Sequence, residues 1–277
     1  MPGPGATPWA GGRVGPGSRV GPGSGAGPGS GFGRPSFDVV ERLAEVDSTQ
    51  RHMLDLARAG APEGLVVVAD HQSAGRGRLG RSWSDVPGGA LLVSVLCRPD
   101  LHPDRLPLVG TALAMAAVDA LEGAGVGGIG CKWPNDLVAG GRKLAGVLAE
   151  VVWPGPAVVA GIGINLVPAP LGAGELAVGV SELGGRGVGR DALLDGLLLA
   201  FRERYGALRE GGALMEGYRA RCVTLGTVVR CELAEGLWEG LAVEVREDGR
   251  LVVEGEAGER RVLSAADVVH LRSGAAP

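Results

Sequence analysis

An arginine- and glycine-rich segment, "HQSAGRGRLGRSW" at 71–83, lies between two apolar runs, "LVVVAD" and "ALLVSVLCR". Runs of that length and residue type read as buried strands. A strand on each side limits what the segment can be. Phosphate-cradling nucleotide loops lead from a strand into a helix whose N-terminus receives the phosphate, so this is neither a P-loop nor a dinucleotide fingerprint. Arg-Gly tracts that bind RNA repeat within unstructured chain, whereas this one is short, single and tied down at both ends. Two readings stay open: a solvated surface loop, or a glycine-flexible loop presenting Arg76, Arg78 and Arg81 to an anion. Guanidinium groups suit bidentate contact with phosphate or carboxylate, and Trp83 can stack on a base.

The 277 residues carry a net charge of −4, so no global attraction draws the chain to nucleic acid or to an anionic membrane. Anion binding has to be local. Lysine occurs only at Lys132 and Lys143 among 27 lysines and arginines. The arginine, glycine and alanine enrichment fits a GC-rich genome, which makes two retained lysines conspicuous. Four cysteines (Cys97, Cys131, Cys222, Cys231) form no C-x-x-C pair, and the four histidines are scattered. Neither a structural zinc nor a disulfide framework is expected. No charge-free apolar stretch approaches about 18 residues, and the N-terminus lacks a basic region followed by an apolar core. The expectation is a cytoplasmic enzyme or binding protein with no membrane span.

Three kinds of chain follow one another. Residues 1–36 are mostly glycine and proline, with "RVGPGS" repeated at 13–18 and 19–24. They offer little to bury and predict a disordered tail, too small for a helix-turn-helix module. Residues 37–221 alternate strand-like runs with helical ones. "STQRHMLDLARAG" opens on capping residues and carries Met53, Leu54 and Ala57 at helical spacing. "LPLVGTALAMAAVDALEGAG" predicts a long apolar helix and "RDALLDGLLLAFRERYGALREG" an amphipathic one, with a shorter helix near "ALMEGYRARC". "GIGCKW", "KLAGVLAEVV" and "AVVAGIGINL" predict three strands. From 222 to 272 the period becomes two, and Asp248-Gly249 predicts a tight hairpin turn. About 50 residues of short strands suggest a small SH3-like barrel leaning on the larger domain.

Other short stretches carry polar groups at strand ends. In "CKWPNDL" Lys132 ends a strand beside Trp133, and Pro134 with Asn135-Asp136 makes a turn. This is either ordinary Asx-turn chemistry or a strand end aiming a fixed positive charge into a site. Lys143 reads more simply as a strand-edge lysine. In "GIGINL" Gly161 and Gly163 mark a β-bulge or a place where something approaches the backbone closely, with Asn165 supplying an amide. "DSTQ" is an N-cap, or a set of hydroxyls and N–H groups open to a polar ligand.

Taken in order, "DST" (47–49), "QSAGRGRLGRSW" (72–83), "KWPNDL" (132–137), "KLAGVLAE" (143–150) and "GIGINL" (161–166) resemble the biotin protein ligases, the biotin–[acetyl-CoA-carboxylase] ligase family. The resemblance implies an α+β fold: a mixed sheet with flanking helices, related to class II aminoacyl-tRNA synthetase catalytic domains, plus the small C-terminal SH3-like β-barrel. It implies that ATP and biotin give biotinyl-5′-adenylate, which then acylates a lysine of a biotin carboxyl carrier domain. By the family's pattern Lys132 lies between the biotin carboxylate and the α-phosphate, while Arg76, Gly77 and Arg78 belong to a loop closing over biotin and the adenylate. Arg81 reaches phosphate and Trp83 packs near adenine. Ser48, Thr49, Gln50 and Gln72 face the biotin ureido ring, and Gly161, Gly163 and Asn165 face the nucleotide. Gln50 stands where the family commonly has Asn, and Leu79 where a basic residue is common. Magnesium arrives with ATP, so no protein metal cage is implied. The loop is expected to be mobile until ligand binds, shielding the adenylate from water. The resemblance is to the monofunctional kind, with no DNA binding and a homodimer as one possible assembly. A lipoate ligase on the same scaffold, or a nucleic-acid-binding protein using the Arg-Gly loop, are the competing readings.

Overall fold

The computed structural model describes residues 35–168, 177–185, 187–233, 236–264 and 270–273. The tail expected over 1–36 therefore lies, except for Pro35 and Ser36, outside the described residues.

The first strand, β1 (Val39–Val46), is followed by helix α1 (Thr49–Arg58) and strand β2 (Leu65–Gln72). β1 and β2 pair in parallel because α1 carries the chain back between them. The arginine-rich segment makes a small ribbon, β3 (Gly75–Arg76) against β4 (Ser82–Trp83), and β5 (Ala90–Cys97) then returns antiparallel to β2. After α2 (Leu108–Gly123) come β6 (Ile129–Lys132), β7 (Asp136–Ala139), β8 (Arg142–Val152) and β9 (Ala157–Asn165). The order across this seven-stranded sheet is β1-β2-β5-β9-β8-β7-β6. β5 and β9 are buried at every residue, the physical reason their sequences are apolar runs interrupted only by Ser94 and Asn165.

One correction concerns "KWPNDL". Lys132 ends β6 and the turn follows at Trp133–Asn135, as expected, with the Trp133–Pro134 bond cis, but Asp136, expected to close the turn, already opens β7. A four-residue strand beginning on Asp has no periodicity for a sequence reading to detect.

α1 covers one face of the sheet, where Met53, Leu54 and Ala57 pack on Leu65, Val67, Leu96 and Val159. α2, with α3 (Arg190–Arg209) and α4 (Leu214–Arg221), covers the other face. α2 is apolar nearly all round because the sheet and α3 enclose it. With its preceding turn, Pro103–Gly123 is long and apolar enough to cross a membrane by composition, and it is mostly buried within the protein. Under α3, the rings of Phe37, Phe201 and Tyr205 cluster with centroids 5.0–5.9 Å apart. The Tyr205 hydroxyl donates to Glu63 Oε1 (2.5 Å), which also accepts from the Arg98 N–H (2.8 Å). Removing a hydrogen bond to a charged group in Tyr205→Phe is expected to cost about 1.5–3 kcal/mol. Urea denaturation checks this, and an unchanged midpoint would remove that bond from the stability of the fold.

The C-terminal strands are β10 (Val228–Leu233), β11 (Gly236–Val245), β12 (Leu251–Glu254), β13 (Arg260–Leu263) and β14 (His270–Ser273). They form a five-stranded antiparallel sheet, β13-β12-β11-β10-β14. The expected turn at Asp248-Gly249 is present, with Gly249 at φ +82° and its N–H donating to Arg246 O (2.9 Å). The stretch "ERRVLSAADVVHL", which reads by its alternation as one short strand, holds β13 and the start of β14, and among the described residues these are opposite edges that do not pair.

Candidate active site

Cross-strand partners point to the same face of a sheet. One such row runs Lys132 (β6), Asp136 (β7), Gly146 (β8), Gly163 (β9), Leu92 (β5). The next row holds Leu148, Gly161 and Ser94. Both lie on the face that α1 covers, but the helix begins at Thr49, above Gly161, and leaves the rest open. Three glycines hollow this face into a trough, Gly161 under the start of α1 and Gly163 and Gly146 beyond it. A Cβ at Gly161 would lie 2.5 Å from Gln50 Oε1, one at Gly163 2.6 Å from Trp83 Cε2, and one at Gly146 3.2 Å from Trp83 Cζ3. Pairing stays in register through Gly161 and Gly163 on both sides, so close approach, not a bulge, explains them.

The trough is rimmed by one continuous chain of hydrogen bonds. Arg76 Nη2 donates to Glu150 Oε1 (3.4 Å), and Gln50 Nε2 donates to Glu150 Oε2 (3.0 Å) and Val159 O (3.1 Å). The Ser94 hydroxyl lies 3.0 Å from Thr49 Oγ1 and 3.4 Å from Gln50 Oε1. The Thr49 N–H and hydroxyl both donate to Gln72 Oε1 (2.8 and 3.0 Å). Ser48 caps α1 from a buried position, its oxygen accepting a long bond from the Arg51 N–H (3.5 Å). Among the described residues this leaves the Ser48 O–H and the Gln72 Nε2–H groups as donors, and lone pairs on Ser94 Oγ and Gln50 Oε1 as acceptors. A small pocket lined by Ser48, Thr49, Gln72, Ser94, Gly161 and Gly163 thus offers both donors and acceptors.

Positive charge gathers on the other side of the trough. Lys143 Nζ pairs with Asp136 Oδ1 (3.0 Å) and lies 5.8 Å from the centroid of the Trp83 ring. Lys143 pairs with Val138 of β7 on one side and bridges to Ala177 on the other, so it is not the edge lysine its sequence suggests. Asn165 Nδ2 donates to Lys143 O (3.4 Å), tying the end of β9 to this lysine. Arg78 Nη1 donates to Asn135 Oδ1 (3.3 Å), and burial, then Arg81, lowers its pKa while Asp136 opposes the shift. Its guanidinium still remains charged. Lys132 is half-buried in the same row, about 10 Å from Gly146 at ordinary strand spacing. Among the described residues its Nζ has no ion pair or hydrogen bond. Gly77 and Arg81 close the ribbon, the Gly77 N–H donating to Arg81 O (2.7 Å), and Leu79 at its tip has a left-handed φ of 53°.

The structure therefore brings Ser48, Thr49, Gln50, Gln72, Arg76, Trp83, Gly161 and Gly163 around one pocket. Gly77, Arg78, Arg81, Lys132 and Asn165 stand outside its lining. Ser94, Gly146, Lys143 and Glu150 were missed as site residues. Ser94 had a signal, a hydroxyl inside an otherwise apolar strand; Glu150 had none, since only register places it beside Gln50.

Residues 43–166, a span that holds every trough residue from Ser48 to Asn165, match the family model for the Biotin/lipoate A/B protein ligase family. The biotin–[acetyl-CoA-carboxylase] ligase of Mycobacterium tuberculosis (strain ATCC 25618 / H37Rv) is 37% identical over 247 residues, covering 87% of this chain and 91% of that one. The chain belongs to the biotin protein ligase family. The chain is also 36% identical over 249 residues to the Paracoccus denitrificans biotin–[acetyl-CoA-carboxylase] ligase, covering 82% of this chain and 98% of that one. Among solved structures, the biotin protein ligase from Aquifex aeolicus in complex with biotin and ATP superposes with a TM-score of 0.74 at 28% identity, covering 86% of this chain and 100% of that one.

Proposed function

We propose that this protein attaches biotin to a specific lysine of a biotin carboxyl carrier domain, through biotinyl-5′-adenylate made from biotin and ATP. The observation that carries this reading is the trough itself: mixed donors and acceptors at one end, a glycine floor, and lysine and arginine side chains at the other. A cyclic urea presents one carbonyl and two N–H groups, the complement of the Ser48 and Gln72 donors and the Ser94 and Gln50 acceptors. In this reading Thr49 orients Gln72, and Gln50 shapes the wall with its amide already bound to Glu150 and Val159.

The first step joins two anions, as a carboxylate oxygen of biotin attacks the α-phosphorus and pyrophosphate leaves. Fixed cations must neutralise that approach. We assign this to Lys132 and Lys143 from the sheet, and to Arg76, Arg78 and Arg81 from the β3–β4 ribbon. Trp83 already lies over Gly163, from where it can stack on adenine, and Asn165 stands at the nucleotide end. Among the described residues no three metal-binding side chains converge. Magnesium in this reading is held by the nucleotide phosphates and water. In the second step the acceptor lysine nitrogen attacks the acyl carbon, AMP leaves and a proton is released. The ribbon acts as a lid that keeps water from the adenylate.

The same reading makes the protein a cytoplasmic enzyme, with 37–221 the catalytic domain and 222–272 an SH3-like module. Its acceptor is a subunit of a biotin-dependent carboxylase. Incubation with ATP, magnesium, biotin and a carrier domain should raise the carrier's intact mass by one biotinyl group. No increase would overturn the proposal, and an increase with lipoate alone would replace biotin by lipoate as the substrate.

A further inference from the structure

Apart from Arg76 and Trp83 on the ribbon, the pocket residues sit at the start of α1 and on β2, β5, β8 and β9, strands held by neighbours on both sides. Lys132 is placed differently. It ends β6, the outermost strand, four residues long and paired on one side with the equally short β7. Such a strand end needs a second support to hold a cation in one place.

The C-terminal part of the chain supplies three contacts there. The Val223 N–H donates to Cys131 O (3.0 Å), the Trp133 N–H donates to Thr224 Oγ1 (3.0 Å), and the Trp133 indole N–H donates to Gly249 O (2.9 Å). The residues on either side of Lys132 are thus tied to the segment leading into β10 and to the tip of the β11–β12 hairpin. Gly130 admits this approach, since a Cβ there would lie 2.3 Å from Val223 Cγ1. The hairpin tip is itself braced, with Arg219 Nη1 donating to Val245 O (3.0 Å) and Gly249 lying against Leu108 at the start of α2. Trp133 and Thr224 are both buried, so their bonds are not exchanged with water.

We propose that Thr224 and Trp133, with the Gly249 carbonyl, are positioning residues through which the C-terminal sheet sets the place of Lys132 during adenylate formation. The inference rests on the reading of Lys132 given above. A cation displaced by about 1 Å can lose much of its effect on a barrier, while pocket groups on α1, β5, β8 and β9 stay where they are. The effect should therefore fall on kcat and spare biotin binding.

The test uses the full chain with Thr224→Val, Thr224→Ser and Trp133→Phe, measuring pyrophosphate release, biotin affinity by calorimetry and the melting temperature. Thr224→Val and Trp133→Phe are expected to lower kcat for adenylate formation about tenfold, with biotin KM and Kd unchanged. Thr224→Ser, which keeps the acceptor, should recover most of the rate. Wild-type kcat in both Thr224→Val and Trp133→Phe would overturn the inference. So would a loss of biotin affinity that matches the loss of rate, because that is general disruption. Should Thr224→Val fail to fold, Trp133→Phe decides. Lys132→Ala separates the two levels: if it keeps wild-type rates, the reading of Lys132 has failed; if it is inactive while the other variants are normal, the positioning alone has failed.

Discussion

Lys132→Ala is expected to lower the rate of adenylate formation about a hundredfold to a thousandfold, the usual loss for one oriented charge or donor at a centre of developing charge. The fold should be indifferent. Lys132 is half-buried at the end of the outermost strand and makes no ion pair among the described residues, so its stability effect should stay within about 0.5 kcal/mol. Pyrophosphate release and a melting curve on the same preparation test both halves. Lys143→Ala would be a poorer first experiment, because it also strips Asp136 of its partner at 3.0 Å and changes two charges' surroundings at once. A Lys132→Ala enzyme that releases pyrophosphate at the wild-type rate would remove this residue from the chemistry.

Gly163→Ala is the second large effect. Its new Cβ would stand 2.6 Å from Trp83 Cε2 and 2.7 Å from Cζ2, so the indole has to leave the trough floor. The displacement cannot stay local. Trp83 pairs with Gly75 in the ribbon, where a Cβ would already meet Trp83 O at 2.5 Å, and Arg76 follows directly. Overpacking of this kind costs about 1–3 kcal/mol, which the fold should survive with a lowered melting temperature. Biotinylation should fall at least about tenfold as the lid arginines lose their register, and trypsin should cut after Arg76, Arg78 or Arg81 faster than in the wild type. Gly146→Ala is the graded control. Its Cβ would meet Trp83 Cζ3 at 3.2 Å and Lys143 Cε at 3.3 Å, contacts that shifts of a few tenths of an ångström relieve. Unchanged tryptic cleavage and activity in Gly163→Ala would mean that Trp83 does not anchor the lid.

Much of the fold could be read from residues alone where burial leaves a long, uniform pattern. β5 and β9 are apolar but for Ser94 and Asn165 because every residue in them is buried, and α1 showed its cap at Ser48 and its packed side at Met53, Leu54 and Ala57. β7 escaped notice because four residues opening on Asp carry no period. The single run expected around 259–271 holds two separate edge strands, because pairing partners, not local propensity, decide where a short strand goes.

The site divides in the same way. Glycines at 75, 161 and 163, the arginines of the loop and the "KWPND" turn announce themselves by residue type and spacing, and these determined what chemistry the chain carries. Which of those groups meet was decided by tertiary structure. Register across five strands puts Lys132, Asp136, Gly146, Gly163 and Leu92 in one row, and it delivers Glu150 to Gln50 across 100 residues. It also moved Lys143 from a presumed edge to a position bridged on both sides, and brought the hairpin at Gly249 to Trp133 across 116 residues. The physical reason is that residue identity is a local property, whereas a site is made of distances, and distances between remote residues exist only once the sheet has chosen its register.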